Sequence, residues 1–171
     1  MARTRRRALR VAGAEPEAVI RTAVAADLPE LQRVYAAASL SNAGDAALLL
    51  TRPEFLIFAG DGIVEGRTRL AETGPLGNGQ VVGFATIVVD QDGGLELEDL
   101  FVDPGWRRRG VARRLVADVV RTAREARHRR LSVIGNPHAL AFYQAVGFVE
   151  IGRVATQLGT GLRLQLDLAQ P

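Results

Sequence analysis

The stretch LELEDLFVDPGWRRRGVARRLVADVVRTAREARH, residues 95–128, limits the fold more tightly than any other part of the chain. Residues 95–104 alternate as a half-buried strand does, and Pro104, which cannot donate to a ladder, stops them. From about Arg109 to His128 the period becomes helical. Val111, Ala112, Leu115, Val116, Val119, Val120 and Ala123 form one apolar stripe, while arginines 113, 114, 121, 124 and 127 take the opposite face. A strand that passes through a tight turn into an amphipathic helix places the chain in the α/β class.

The flanking sequence extends this reading. AVIRTAV (18–24) is strand-like. Asp27 and Glu30 have the spacing of a capping box, with Pro29 in the first turn, and Leu28, Leu31, Val34, Tyr35 and Ala38 predict a helix over roughly 28–38. Residues 39–66 carry no clear period; a short helix within Pro53–Glu65 is expected, with Gly60 and Gly62 working against it. Strands follow at 67–73 and 80–90, with turns at 74–79 and 91–94. Both turns read as hairpin turns rather than phosphate loops, because no helix follows them. LSVIG (131–135) is a buried strand. Asn136 caps and Pro137 opens a short helix to Val146, which Gly147 closes. FVEIGRVATQLG (148–159) and GLRLQLDL (161–168) give two last antiparallel strands. Residues 18–171 are expected to form one domain, and residues 1–17, which have no burial pattern, a solvated basic tail.

Composition removes several kinds of chemistry. The longest uncharged apolar stretch, Val81–Val89, is too short to span a membrane as a helix. Cysteine is absent, which excludes disulfides, thiolate metal sites and a cysteine nucleophile. His128 and His138 have no ligand spacing, so no metal is expected. The net charge of +3 hides an asymmetry. Residues 107–130 carry a local balance of +8, and the chain outside this segment and the first ten residues carries −10. One internal segment is therefore strongly basic in an otherwise acidic body, which suggests an anionic ligand at one place.

That segment begins Arg107-Arg108-Arg109-Gly110-Val111-Ala112, where the strand has ended and the helix starts. The first amides of a helix have no intrahelical partner and point along the positive end of its dipole. Gly110 leaves the backbone open to a ligand, and the arginines add charge. The arrangement suits a pyrophosphate. A solvated, arginine-rich helix start would have the same spacing.

R-x-x-G-x-A after a strand ending V-D-P resembles the acyl-CoA signature of the GCN5-related N-acetyltransferase (GNAT) superfamily. NPHALAFYQAVGF (136–148) resembles a second segment of that family, at the right distance. The order of elements agrees from about Ala18 to Leu168, and the resemblance is strongest over 95–148. It implies a mixed, mostly antiparallel sheet of about seven strands flanked by about four helices. It also implies that backbone groups of Leu100, Phe101 and Val102 pair with the pantetheine arm of acetyl-CoA like an added strand. The amides of Arg107, Arg108, Arg109, Gly110, Val111 and Ala112 would hold the pyrophosphate, and Asn136 would lie beside the pantetheine. Ala112 stands where many members have glycine, an accepted variant.

Tyr143 matches the position of the family's usual general acid, which protonates the departing thiolate; its plain alternative is a core aromatic, the role expected of Phe142. A base must also remove a proton from the incoming ammonium. By strict alternation Glu96 and Glu98 share one strand face and Leu97 and Asp99 the other. Glu98 and Glu96 are thus the candidate bases, against the alternative of solvated strand carboxylates, and Asp99 is set aside by its face. His138 reads as a surface residue near the coenzyme and Trp106 as packing under the signature turn. The implied activity is acetyl transfer to a primary amine by direct attack in a ternary complex, since no cysteine is present for a covalent relay. The acidic body favours a cationic acceptor: a polyamine-like or aminoglycoside-like molecule, a protein N-terminus or a lysine. A GNAT-like domain that binds acyl-CoA without catalysis is a second reading. An arginine-rich nucleic-acid module is a third, disfavoured by 5% aromatics and no recognition signature. A cytoplasmic enzyme is expected, without a membrane partner, and a homodimer is compatible with all of this.

Overall fold

The computed structural model describes residues 18–74, 79–90 and 93–169. The basic segment 1–17 lies outside the described residues, as do the central positions of the two hairpin turns, 75–78 and 91–92. Seven strands form one sheet: β1 (Val19–Thr22), β2 (Thr68–Thr73), β3 (Gln80–Val89), β4 (Leu95–Val102), β5 (Arg130–Gly135), β6 (Val149–Thr156) and β7 (Gly159–Asp167). Their spatial order is β1-β2-β3-β4-β5-β7-β6. Every neighbouring pair is antiparallel except β4 and β5.

Helices cover both faces. On one lie α4 (Val111–Glu125) and α5 (Leu140–Ala145). The predicted stripe of α4 is its buried side: Val111, Leu115, Val116, Val119 and Ala123 pack with Ala85, Leu95, Leu97, Leu131 and Leu164 of the sheet. On the other face α1 (Leu28–Leu40) inserts Leu31 and Val34 against Leu70, Val81 and Phe84. Phe84, Phe101, Tyr35 and Phe58 form a continuous run of tilted and edge-on rings there, with centroids 4.7–5.9 Å apart. No helix among the described residues is long and apolar enough to cross a membrane.

Three expectations change. The segment without a clear period holds α2 (Ala43–Thr51), and the helix sought in Pro53–Glu65 resolves into a 3-10 turn at Pro53–Leu56 and the single turn α3 (Asp61–Val64). The sequence of α2, AGDAALLLT, is apolar on most sides apart from Asp45 and Thr51: Leu49 is buried, while Leu48 and Leu50 beside it are exposed. Burial on one narrow side of a mostly apolar helix leaves no period to read. The expected Asp27–Glu30 capping box is also absent. Asp27 is the last residue of a 3-10 turn begun at Val24, accepts from Val24 N at 2.8 Å and is gripped by Arg21 at 2.7 Å, whereas Glu30 pairs with Arg33.

The third change matters for the site. In the β3–β4 ladder Asp99 stands opposite Thr86 and Leu97 opposite Ile87, so Glu98 is an extra residue in β4. A bulge of one residue reverses the alternation beyond it. Leu97, Leu100 and Val102 therefore face α4, while Glu96, Asp99 and Phe101 share the α1 face and Glu98 is exposed at the bulge. The pairing of Glu96 with Glu98 on one face, and of Asp99 with Leu97 on the other, is corrected by that bulge.

Candidate active site

The parallel pair β4–β5 is joined only at its start, by Leu95 with Leu131 and Glu96 with Ser132. The strands then diverge, and from Leu97 to Val102 the β5-facing edge of β4 has no strand neighbour. A large cavity of about 1230 Å³ fills the wedge. Leu100, Phe101 and Val102 line one wall and Ile134, Gly135 and Asn136 the other. An edge of this kind can accept an extended ligand as an added strand. Tyr35, Asp45, Leu49 and Phe55 close the cavity from the α1–α2 side, and Gln157 and Leu158 from the β6–β7 hairpin.

At the mouth lies a smaller hollow of about 310 Å³, lined by Val102, Trp106, Arg107, Arg108, Gly110, Val111, Ala112, Arg113 and Phe142. The turn that builds it is fixed from both ends. Asp103 accepts from Gly105 N at 2.9 Å and from Arg33 of α1 at 2.6 Å; burial works against its charge, yet these donors hold its carboxyl below the usual range. Arg108 has φ +61° and Gly110 φ +80°. Gly110 is thus required by its left-handed backbone as well as by its openness: a Cβ there would meet nothing within 4 Å. The amides of Gly110, Val111, Ala112 and Arg113 have no carbonyl partner among the described residues; the first backbone bond of the helix start runs from Arg114 N to Gly110 O. Amides without carbonyl partners, arginines and the α4 dipole converge on this hollow, an arrangement that suits an anion. Arg109 is placed differently, stacked on Trp106 at 4.8 Å and lining neither cavity, while Arg107 donates to Ala38 O at the end of α1 and to Ser41.

Tyr143 lies at the inner end of the large cavity on α5. It is the better buried of the Phe-Tyr pair, at 7% exposure, while Phe142 is half-buried and lines both cavities, more exposed than a core aromatic. The Tyr143 ring packs edge-on against Phe142 and Phe148 and lies on Gly135, where a Cβ would come within 2.8 Å of Cε2. No hydrogen-bond partner holds its hydroxyl among the described residues, and no sealed side-chain polar atom there is left unsatisfied, so the hydroxyl opens toward the cavity. Burial pushes its pKa up to about 12, which keeps it protonated at neutral pH. Asn136 caps the turn before α5, accepting from His138 N at 2.9 Å, and donates to Asp45 at 2.9 Å.

The β4 carboxylates lie apart from this lining. Neither Glu96, which is half-buried, nor Glu98, which is exposed, reaches the cavity wall. Asp99 stands beside Phe101 and near Tyr35, whose hydroxyl pKa is raised by burial first and then by the Asp99 charge; burial first, then Glu98, push Asp99 up to about 6 against an offset from the Thr86 hydroxyl. Sequence reasoning missed Tyr35, Asp45, Leu49, Phe55 and Leu158 as wall residues. They come from segments with no common motif.

A mixed sheet opened between two parallel strands, with free amides and arginines around a hollow at its mouth, defines an α/β domain with a long cleft that is basic at one end. Residues 51–148 match the family described as Acetyltransferase (GNAT) family, and the chain belongs to it. Solved structures share the fold. A GCN5-related N-acetyltransferase from Rhodopseudomonas palustris superposes with a TM-score of 0.67 at 17% identity, over 90% of this chain and 98% of that one. PaiA N-acetyltransferase from Thermoplasma acidophilum, solved with coenzyme A, gives 0.66 at 15% identity over 88% and 98%. YncA from Salmonella typhimurium, solved with acetyl-CoA, gives 0.65 at 19% identity over 90% and 95%. No curated protein matches the chain in sequence.

Proposed function

We propose that this chain is an N-acetyltransferase that binds acetyl-CoA in the β4–β5 wedge and passes the acetyl group to a primary amine. The observation that carries the reading is the continuity of the site: amides 110–113, the open edge of β4 and the Tyr143 hydroxyl follow one another along adjoining cavities. Bound acetyl-CoA supplies a thioester whose carbonyl carbon the neutral amine attacks, forming a C–N bond as the C–S bond breaks. Arg107, Arg108 and the free amides 110–113 hold the phosphate end, the amide of Arg107 being engaged with Pro104 O. The backbone of Leu100, Phe101 and Val102 and the side of Asn136 align the pantetheine arm. Tyr143 gives its proton to the departing sulfur. A β4 carboxylate takes the ammonium proton. Asp99 is favoured over Glu96 and Glu98: the bulge sets it on the face of Phe101, two residues away, and burial raises its pKa to about 6, though like them it stands outside the cavity lining; its path to the amine runs through water.

Calorimetry with coenzyme A and amine-dependent release of its thiol test this reading. Binding with turnover above hydrolysis is expected. Binding without turnover on any amine would favour a non-catalytic acyl-CoA-binding domain.

A further inference from the structure

Asp45 differs from most of the acids among the described residues. Asp27 and Glu72 pair with Arg21, Asp103 with Arg33, and Asp118 with Arg69 and Arg121. Much of the body's negative charge is thus matched by arginine and offers little to a ligand. Asp45 has no cationic partner among the described residues. Its Oδ2 accepts from Asn42 Nδ2 at 2.5 Å and from Asn136 Nδ2 at 2.9 Å. Two amides orient the carboxylate without neutralising it, and its Oδ1 has no hydrogen-bond partner among the described residues. Asp45 is also the one acid that lines the large cavity among those residues.

The surroundings say what cation fits. Tyr35 donates its hydroxyl to Phe55 O at 2.9 Å, so its polar end is engaged within the wall. Leu49, Phe55, Phe101 and Leu158 make the neighbouring lining apolar, and Arg107 and Arg108 lie on the coenzyme side. The rest of the lining is uncharged-polar, as at Ser39, Ser41 and Gln157, apart from the imidazole of His138; one carboxylate beside apolar walls and two arginines suits a single positive charge on a largely apolar body. A chain of several ammonium groups would find no second carboxylate in this lining and would bring its further charges toward Arg107 and Arg108. The position suits the reacting nitrogen: Asn136, which holds Asp45, follows Gly135, on whose backbone the Tyr143 ring rests.

We infer that Asp45 is the ammonium subsite of the acceptor, and that the preferred acceptor is a monoamine on an apolar, aromatic-sized body. The inference rests on the acetyltransferase reading above and narrows its substrate class. Asp45 recognises the ammonium; the proton is removed by the base discussed there. The test compares 2-phenylethylamine, spermidine and kanamycin as acceptors for the full chain and for Asp45→Asn, which keeps the side chain's size and one acceptor oxygen. The expected result is a higher kcat/KM for 2-phenylethylamine than for either polycation. Asp45→Asn should raise its KM about 10–100-fold, the effect of a lost charge-assisted bond, with kcat and acetyl-CoA affinity within about threefold. A preference for spermidine or kanamycin overturns the inference and leaves the acetyltransferase reading standing. An equal loss of acetyl-CoA affinity in Asp45→Asn makes Asp45 a structural tether for Asn136 and also overturns it. If no amine is acetylated, calorimetry of 2-phenylethylamine on the coenzyme A complex decides: binding that weakens in Asp45→Asn upholds the subsite though transfer fails, and no binding overturns both.

Discussion

The two ends of the cleft are built from different materials. The end proposed to hold the coenzyme is made mainly of backbone: free amides at the start of α4, left-handed positions at Arg108 and Gly110, and the open edge of β4. The end proposed for the acceptor is made of side chains from α1, α2, the Pro53–Leu56 turn and the β6–β7 hairpin, which meet only in space. A ligand held by main-chain groups needs a particular chain path, and any sequence that produces that path will serve. A ligand held by side chains depends on their identities, which are free to differ. The comparison predicts that changes of path at the first end abolish binding, whereas changes of side chain at the second alter selectivity.

The largest expected effect is at the turn. Gly110→Asp places a carboxylate where the pyrophosphate is proposed to lie and puts a side chain on a backbone with φ +80°. Like-charge repulsion at contact distance should weaken acetyl-CoA binding on the order of 10³-fold. Gly110→Ala adds no clash, since nothing lies within 4 Å of the new Cβ, and should cost only the left-handed strain. Calorimetry on the two folded variants separates charge from strain; equal losses would mean that path alone matters there.

Tyr143→Phe comes next, because the hydroxyl sits between the two ends. The ring keeps its contacts with Phe142, Phe148 and Gly135, so acetyl-CoA binding should change little. Turnover should fall about 10²-fold, toward the low end of general-acid effects, since a thiolate is a fair leaving group. A thioester of a more acidic thiol should recover part of the loss. Full turnover with chemistry rate-limiting would return Tyr143 to the role of a core aromatic.

This division explains what could be read from the residues. The α4 stripe, Pro104, Gly110 and the Asn136–Gly147 frame of α5 are local signals, each with a physical meaning within a few positions. They carried the topology and the place of the turn before α4. Two things were not local. Helix α2 buries one narrow side of a run that is apolar on most sides, so its sequence has no period. The bulge at Glu98 arises from pairing with β3, and LELEDLFV reads as unbroken alternation until that partner's register is known. That one residue moved Asp99 to the face on which Glu96 lies, and Asp45 entered the cavity wall on a helix that was not foreseen.

Asp99 links the acceptor end to stability. Its folded pKa of about 6 lies above the ordinary carboxylate value of about 3.9. As pH rises, the unfolded chain gives up this proton first, so the fold loses stability between about pH 4 and pH 6 and the loss stays constant above that. Asp99→Asn should abolish this loss and stabilise the protein by ~1–3 kcal/mol above pH 6, with no gain at pH 4. Turnover should drop about tenfold and the acidic limb of the kcat/KM profile near pH 6 should vanish, a trade of activity for stability. Denaturant unfolding at two pH values checks the first half and the rate profile the second. A variant that is stabilised but fully active would leave Asp99 a buried acid outside the proton path.

The smallest effect is expected at Glu98, and it bears most directly on the bulge. If β4 alternated without interruption, Glu98 would share a face with Glu96 and be as good a base. With Glu98 as the extra residue, its side chain is exposed and stands outside the cavity lining. Its remaining influence on Asp99 is electrostatic: the Glu98 charge is the smaller of the two causes that raise the Asp99 pKa. Glu98→Gln should therefore lower turnover by less than about threefold and move the acidic limb of the rate profile slightly downward, because Asp99 then ionises more easily. Glu96→Gln, on the same face as Asp99 but toward the closed start of the wedge, should leave the limb unmoved. A tenfold loss in Glu98→Gln with Asp99→Asn active would place the base at the bulge itself, and the face correction, though right for the fold, would have misdirected the chemistry.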